Sequence, residues 1–260
     1  MQTISIDDTP VRDVNMPHGI GRVLFNDFLG QGHQVLPGPQ AYLVNQVDAR
    51  SEIYPHFHDV DQFQIFVGGS GRIGTHPLAP IVAHYVDAYA PYGPIVSEDH
   101  GVSYFALRLA AASGGWRMPE NRHLIVGEPH RRITLAFESF NRIPDGVNFV
   151  ERKTMWGPAE DGLEIASFHI GPHTEFVGDP TAGGQYLIVT GGALVCDGRP
   201  LPANSLIFLD RGEAPPTLRT STGGATLLSL QFPLPSQRPG SDPSKLANRE
   251  GRYAMPPTRD

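Results

Sequence analysis

Two histidines stand two residues apart, His56 and His58, and Gln62 follows four residues on in the run Tyr54-Pro-His-Phe-His-Asp-Val-Asp-Gln62. On an extended strand, residues i and i+2 leave from one face, so both imidazoles point the same way, and Gln62 can share that side. Neutral imidazole nitrogen is a good donor to first-row transition metals, and an amide oxygen can complete one side of an open site. Gln62 leads into Phe63-Gln-Ile-Phe-Val67, an apolar strand that ends on Gly68-Gly69, where the backbone can turn tightly. The pattern points to a metal held by His56, His58 and Gln62. The alternative is a pair of surface histidines on an edge strand.

The same residues resemble the first motif of the cupin family: His-x-His, three or four residues, Glu, six residues, Gly. Gln62 stands where that family usually has Glu, Gly69 falls on its glycine, and Arg50 replaces the glycine that normally precedes the histidines. Pro91-Tyr-Gly93 resembles the Pro-x-Gly of the second motif. The resemblance implies a small antiparallel jelly-roll barrel with a metal inside, because such sheets close around a cavity. It also implies a last histidine ligand shortly after Gly93, but Val96 stands there. His100 and His84 are then the two alternatives. His100 belongs to a turn; His84 shares a strand face with Val86 and Ala88, as a ligand or as an acid–base group lining the pocket. Waters completing a three-ligand site are the third alternative.

Other groups could serve the same pocket. Tyr92, with Tyr85, Tyr89 and Tyr104, could present a hydroxyl to a substrate, though tyrosine is also an ordinary strand residue. Of these Tyr92 is the catalytic candidate beside His84. Asp59 and Asp61 flank the histidines and could hold their far ring nitrogens, or be solvated loop residues. Arg108, at the end of a strand, could pair with a carboxylate; a surface ion pair is the plainer expectation.

What positions these residues is a chain of 260 residues with 29 Gly and 25 Pro, its turn clusters recurring every ten residues or so. That reads as an all-β protein. The segment Gln185-Tyr-Leu-Ile-Val-Thr-Gly191-Gly192 repeats Gln62-Phe-Gln-Ile-Phe-Val-Gly68-Gly69. Asn204-Ser-Leu-Ile-Phe-Leu209 is matched to Asp87-Ala-Tyr-Ala90, and the hairpin at Gly223-Gly224 to His100-Gly101. The expected architecture is two tandem antiparallel jelly-roll (cupin) barrels: a metal-binding one over 1–115, a degenerate one over 116–235, and an extended or disordered tail over 236–260. In the second copy Asp179 and Thr181 replace the two histidines, so it is expected to carry no metal. His169 and His173 lie off the ligand positions and read as ordinary polar contacts.

The net charge of -7 argues against a nucleic-acid or anionic-membrane surface. The lone Cys196 excludes an internal disulfide framework, and no apolar run is long enough to span a bilayer. A cytoplasmic protein, expected as a homodimer, follows. The resemblance implies a metal-dependent enzyme, an oxygenase or an isomerase or lyase, acting on a small oxygenated organic molecule. Fe(II) or Mn(II) is favoured there, with Zn(II) or Ni(II) as alternatives. A non-catalytic small-molecule-binding or structural bicupin is the other reading.

Overall fold

In a computed structural model, residues 1–15, 19–30, 38–127, 130–137 and 143–246 are described. The chain is nearly all antiparallel β-structure and divides into two compact units: Pro10–Phe137 with Ser236–Asp260, and Met1–Thr9 with Glu138–Pro235. Where the linear expectation divided the chain at 115/116, pairing regroups its ends. Arg132–Ala136 extends the first barrel beside Val82–Val86, and Gln2–Ile4 is an edge strand of the second, against Leu206–Leu209.

In the first unit the strands run Arg132–Ala136, Val82–Val86, Gln62–Ile73, Ile95–Arg108, Gln40–Gln46, Arg22–Leu29, Val11–Asn15 across the sheet. Alternation along Gln62–Ile73 sends Gln62, Gln64 and Phe66 one way and Phe63 and Ile65 the other. Phe66 joins the core with Val82, Val86, Tyr104 and Ala106. Phe63 meets Tyr85 across the strand pair at 4.8 Å between ring centroids. Both faces are buried, which is why the run reads as continuously apolar, with amides, rather than as a polar–apolar alternation.

The second unit repeats this frame. Gln62–Ile73 and Gln185–Cys196 are each 12 residues and nearly identical in their burial. Val102 faces Gly69 as Ala225 faces Gly192. Both glycines have positive φ (71° and 68°), and a Cβ on either would lie 2.1 Å from the carbonyl oxygen of Gly101 or Gly224. Only glycine fits that approach. One part of the sequence alignment is corrected by the register. Val86 pairs with Gln62 and Leu209 with Gln185, so Leu206–Leu209 is the counterpart of residues in Val82–Val86, not of Asp87–Ala90. Fully buried strands carry no alternation to fix register, and matching Asn204 to Asp87 slipped it.

The beginning of the tail packs on the first unit: the Arg238 guanidinium binds the buried Asp61 carboxylate and approaches Asp87 at 3.4 Å. Pro243–Leu246 is one helical turn; residues 247–260 lie outside the described residues. Among the described residues no helix is long and apolar enough to cross a membrane.

Candidate functional site

The two histidines sit where a two-residue strand, His56–Phe57, is clamped between neighbours. Arg117 pairs with His56, Trp116 with Phe57, and His56 also bridges to Tyr92. Phe57 is wholly buried and stacks on Trp116 at 5.5 Å. Burying that ring is worth about 2–3 kcal/mol, and it forces its two neighbours to the opposite side, into the barrel. The expected shared face of His56 and His58 is realised this way, with their rings 5.1 Å apart.

Each imidazole is oriented by a backbone carbonyl. His56 Nδ1 lies 2.7 Å from the Tyr54 oxygen and His58 Nδ1 lies 2.6 Å from that of Gly114. A carbonyl only accepts, so each Nδ1 carries the proton and each Nε2 presents a lone pair to the cavity. Gly115 makes room for this, since a Cβ there would fall 3.3 Å from His58 Cε1. The segment read as a domain junction is therefore part of the site.

Arg108 meets the lone pair of His58. Its Nε donates to Gln62 Oε1 at 2.7 Å, its Nη2 to His58 Nε2 at 3.0 Å, and its Nη1 to Gln40 Oε1 at 3.1 Å. Gln62 Nε2 then donates to the Tyr92 hydroxyl at 2.8 Å, whose own proton is directed at His56 Nε2, 2.9 Å away. Arg108 Nη2 only donates, which fixes His58 as neutral in this arrangement, and with His56 neutral as well the Tyr92 proton is shared with its Nε2. Burial pushes the Tyr92 hydroxyl up to about 12, so it is a phenol, not a phenolate, at neutral pH. His56, His58, Gln62, Tyr92 and Arg108 line a cavity of about 200 Å³ with Tyr42, Gln64 and Tyr104.

The remaining candidates divide. His84 is buried inside the barrel, its Nδ1 bonded to Thr134 Oγ1 at 2.9 Å and its ring 5.7 Å from Tyr92. Burial lowers its pKa to about 4. It is beside the site, not on the His56–His58–Gln62 cluster. His100 is not brought to the site: Gly101 turns left-handed (φ 74°), and His100 lies exposed in the hairpin beside Asp99 and Glu98. The two aspartates are buried rather than solvated. Asp59 accepts from Ser113 N at 3.0 Å and from its hydroxyl at 2.6 Å, and Asp61 binds Ala88 N and Arg238. Tyr85 donates to Asp87 at 2.9 Å, and Tyr89 packs on Phe57. Arg108, expected as a surface ion pair, is instead buried. Its sequence signal was parity: Tyr104, Ala106 and Arg108 share one face of their strand.

In the second unit, Asp179 accepts from Arg152 at 2.8 Å and Thr181 donates to the Asp210 and Glu213 carbonyls. His169 lies within Glu164–Ile170 and His173 in a turn with φ 50°.

Neither a family model nor a curated protein sequence matches the chain. Solved structures do, as a fold. A candidate dioxygenase from Nostoc punctiforme aligns over 88% of this chain and 81% of its own, with TM-score 0.64 and 11% identity. The bacterial pirin YhhW of Escherichia coli, in complex with nickel(II), aligns over 90% and 99%, with TM-score 0.56 and 10% identity. Bacillus subtilis oxalate decarboxylase, which has Mn(II) centres, aligns over 88% and 76%, with TM-score 0.56 and 8% identity. These are cupin-superfamily proteins, and the fold of this chain is the cupin fold.

A divalent metal is the group such neighbours suggest, so its fit to these residues can be tested. The Nδ1–carbonyl bonds hold the imidazoles as metal-ligating histidines are held. The rest of the donor set does not fit. A metal shared by His58 and Gln62 would lie about 2 Å from each ligand atom, where Arg108 already donates to both. Among the described residues, no three or more His, Cys, Asp or Glu side chains form a group that could hold a metal. As arranged, the guanidinium takes the metal's place.

Proposed function

We propose that the first barrel binds a small oxygenated organic acid against Arg108 and acts on it as a cupin enzyme of the isomerase or lyase kind. One observation carries this: a buried guanidinium bonded to Gln62, His58 and Gln40 on the wall of a small cavity, next to the Tyr92–His56 hydrogen bond. A planar guanidinium suits a carboxylate, and it would stabilise the negative charge that develops when a proton leaves the neighbouring carbon. The proton would pass to the Tyr92 oxygen as the Tyr92 proton moves to His56 Nε2, leaving an imidazolium and the substrate's enolate form. Returning a proton to an adjacent carbon gives isomerisation; expelling a leaving group gives a lyase. In this reading the second barrel is the structural half of a bicupin.

The orientation of the imidazoles supports a second reading, an oxygenase whose metal enters when Arg108 swings away. Both are tested by incubating untagged protein with 2-hydroxy, 2-keto and β-dicarbonyl acids in deuterated water. The proposal expects metal-independent exchange of the carbon-bound proton, lost in Tyr92→Phe. Exchange or oxygen uptake that appears only with added Fe(II) or Mn(II) would favour the second reading. Binding without exchange would leave a non-catalytic barrel.

A further inference from the structure

Two buried polar atoms deeper in the first barrel have no hydrogen-bond partner: Gln64 Oε1 and His84 Nε2. Gln64 is 2% exposed and His84 4%. They face each other directly across the antiparallel pair of Gln62–Ile73 and Val82–Val86, which puts their Cβ atoms about 5 Å apart. Both side chains lie on the interior face, Gln64 on the cavity wall and His84 between the core residues Val82 and Val86. A buried amide oxygen left without a donor costs stability, so its retention needs a reason.

The second barrel supplies the comparison. At the same register its pair is Leu187 and Ile207, both fully buried in its core. The fold thus accepts two aliphatic residues here, and in that barrel the pair simply packs. The polar pair is confined to the barrel that has Arg108, where the second has Gln231 facing Gln185.

We propose that Gln64 and His84 form a subsite for a hydroxyl group of the substrate. The inference rests on the proposed binding of an organic acid at Arg108 and names its class: a small hydroxy acid. The Gln64 oxygen accepts only. His84 Nε2 accepts or donates according to whether Nδ1 or the Thr134 hydroxyl supplies the proton between them. With the proton on Nε2 a hydroxyl satisfies both atoms, accepting from His84 Nε2 and donating to Gln64 Oε1; with Nδ1 protonated both atoms accept, and the hydroxyl proton serves one of them. Gln64 is two residues from Gln62 on the same face, about 7 Å along the strand. A chain with its carboxylate on Arg108 therefore reaches the pair with a hydroxyl a few carbons away. The cavity of about 200 Å³ holds such a molecule and little more, being room for roughly six water-sized groups.

The test uses ω-hydroxy acids of three to six carbons and their deoxy counterparts, titrated calorimetrically against the full chain. The wild type should bind at least one hydroxy acid about tenfold or more tighter than its deoxy partner, the worth of one buried hydrogen bond. Replacing the pair by the second barrel's residues, Gln64→Leu with His84→Ile, should abolish or reverse that preference while retaining binding of the deoxy acid. If the double variant does not fold, Gln64→Leu alone reads the same ratio. Equal binding of both acids by the wild type, with binding lost in Arg108→Met, would overturn the subsite and leave the acid site standing. An unchanged preference in the variants would also overturn it, as would a pair that holds only water. If no acid binds the wild type, the acid site fails and the subsite with it.

Discussion

Replacing Arg108 with methionine should convert the first barrel from a poor metal site into a better one. The guanidinium donates to Gln62 Oε1, His58 Nε2 and Gln40 Oε1, all neutral acceptors. Methionine keeps much of the stem's volume but leaves three acceptors without that donor, at about 1 kcal/mol or more each. The variant should therefore lose roughly 3 kcal/mol of stability in the absence of metal. The same change removes a positive charge about 4 Å from any ion on His58. A dication and a unit charge at that distance repel by about 8 kcal/mol at an effective dielectric of 20 and by about 2 kcal/mol in water. Even the lower figure is about 30-fold in affinity. Titration with Zn(II) and Ni(II), read by calorimetry and by thermal unfolding, should show weak binding to the wild type. Arg108→Met should bind at least 30-fold tighter, with its lost melting temperature recovered on metal addition. One equivalent of metal in untagged wild-type protein, together with unchanged or weaker binding by Arg108→Met, would refute the idea that the guanidinium stands in the metal's place.

Tyr92→Phe should cost about 1–3 kcal/mol, because the Gln62 amide and His56 Nε2 both lose their partner; a variant as stable as wild type in urea would contradict the hydrogen-bond chain. Arg238→Ala leaves the Asp61 carboxylate buried, where desolvation already pushes its pKa up, and should destabilise by about 3–5 kcal/mol. Proteolysis should then release the C-terminal segment before the barrel unfolds, and an intact segment would argue that other contacts hold it. For His84, burial lowers the folded pKa to about 4 from 6.5, so above about pH 6.5 its contribution is fully present. As pH falls from 6.5 towards 4 the unfolded chain takes up a proton that the folded one refuses, and up to about 3 kcal/mol is lost. Urea unfolding of wild type and His84→Ile across that range should show the wild type losing more; parallel pH profiles would exclude His84 as the cause.

The histidines were legible because parity is a local property. Phe57 between them is a large apolar residue with one place to go, and once it is buried His56 and His58 must turn to the cavity. The repeat was legible for a similar reason, since paired glycines after an apolar strand mark a close backbone approach at Gly69 and again at Gly192. Arg108 was not read correctly because a charged residue at a strand end is usually solvated. What buries it is the meeting of Gln40, Gln62 and His58 from other strands, and no local pattern encodes that meeting. The burial of Asp59 and Asp61 was illegible for the same reason. Their partners, Ser113 and Arg238, are 54 and 177 residues away in sequence. Gly114-Gly115 looked like a linker because sequence does not show that Gly115 serves close approach to an imidazole rather than a turn.

Comparing the two barrels locates the chemistry better than either does alone. The strands Gln62–Ile73 and Gln185–Cys196 share length, burial and glycine geometry, so the backbone does not distinguish the two interiors. The side chains at equal register do. Leu187 and Ile207 close the interior of one barrel with apolar volume. In the other, Gln64 and His84 keep unpartnered polar atoms at a cost that a ligand hydroxyl would offset. Arg108 and Gln231 differ in the same sense, a fixed cation against a neutral amide. The two barrels also differ at the positions of the His-x-His pair. In the second barrel Asp179 and Thr181 are tied to Arg152 and to backbone carbonyls. In the first, imidazoles stand there, and the Arg108 guanidinium donates to that of His58.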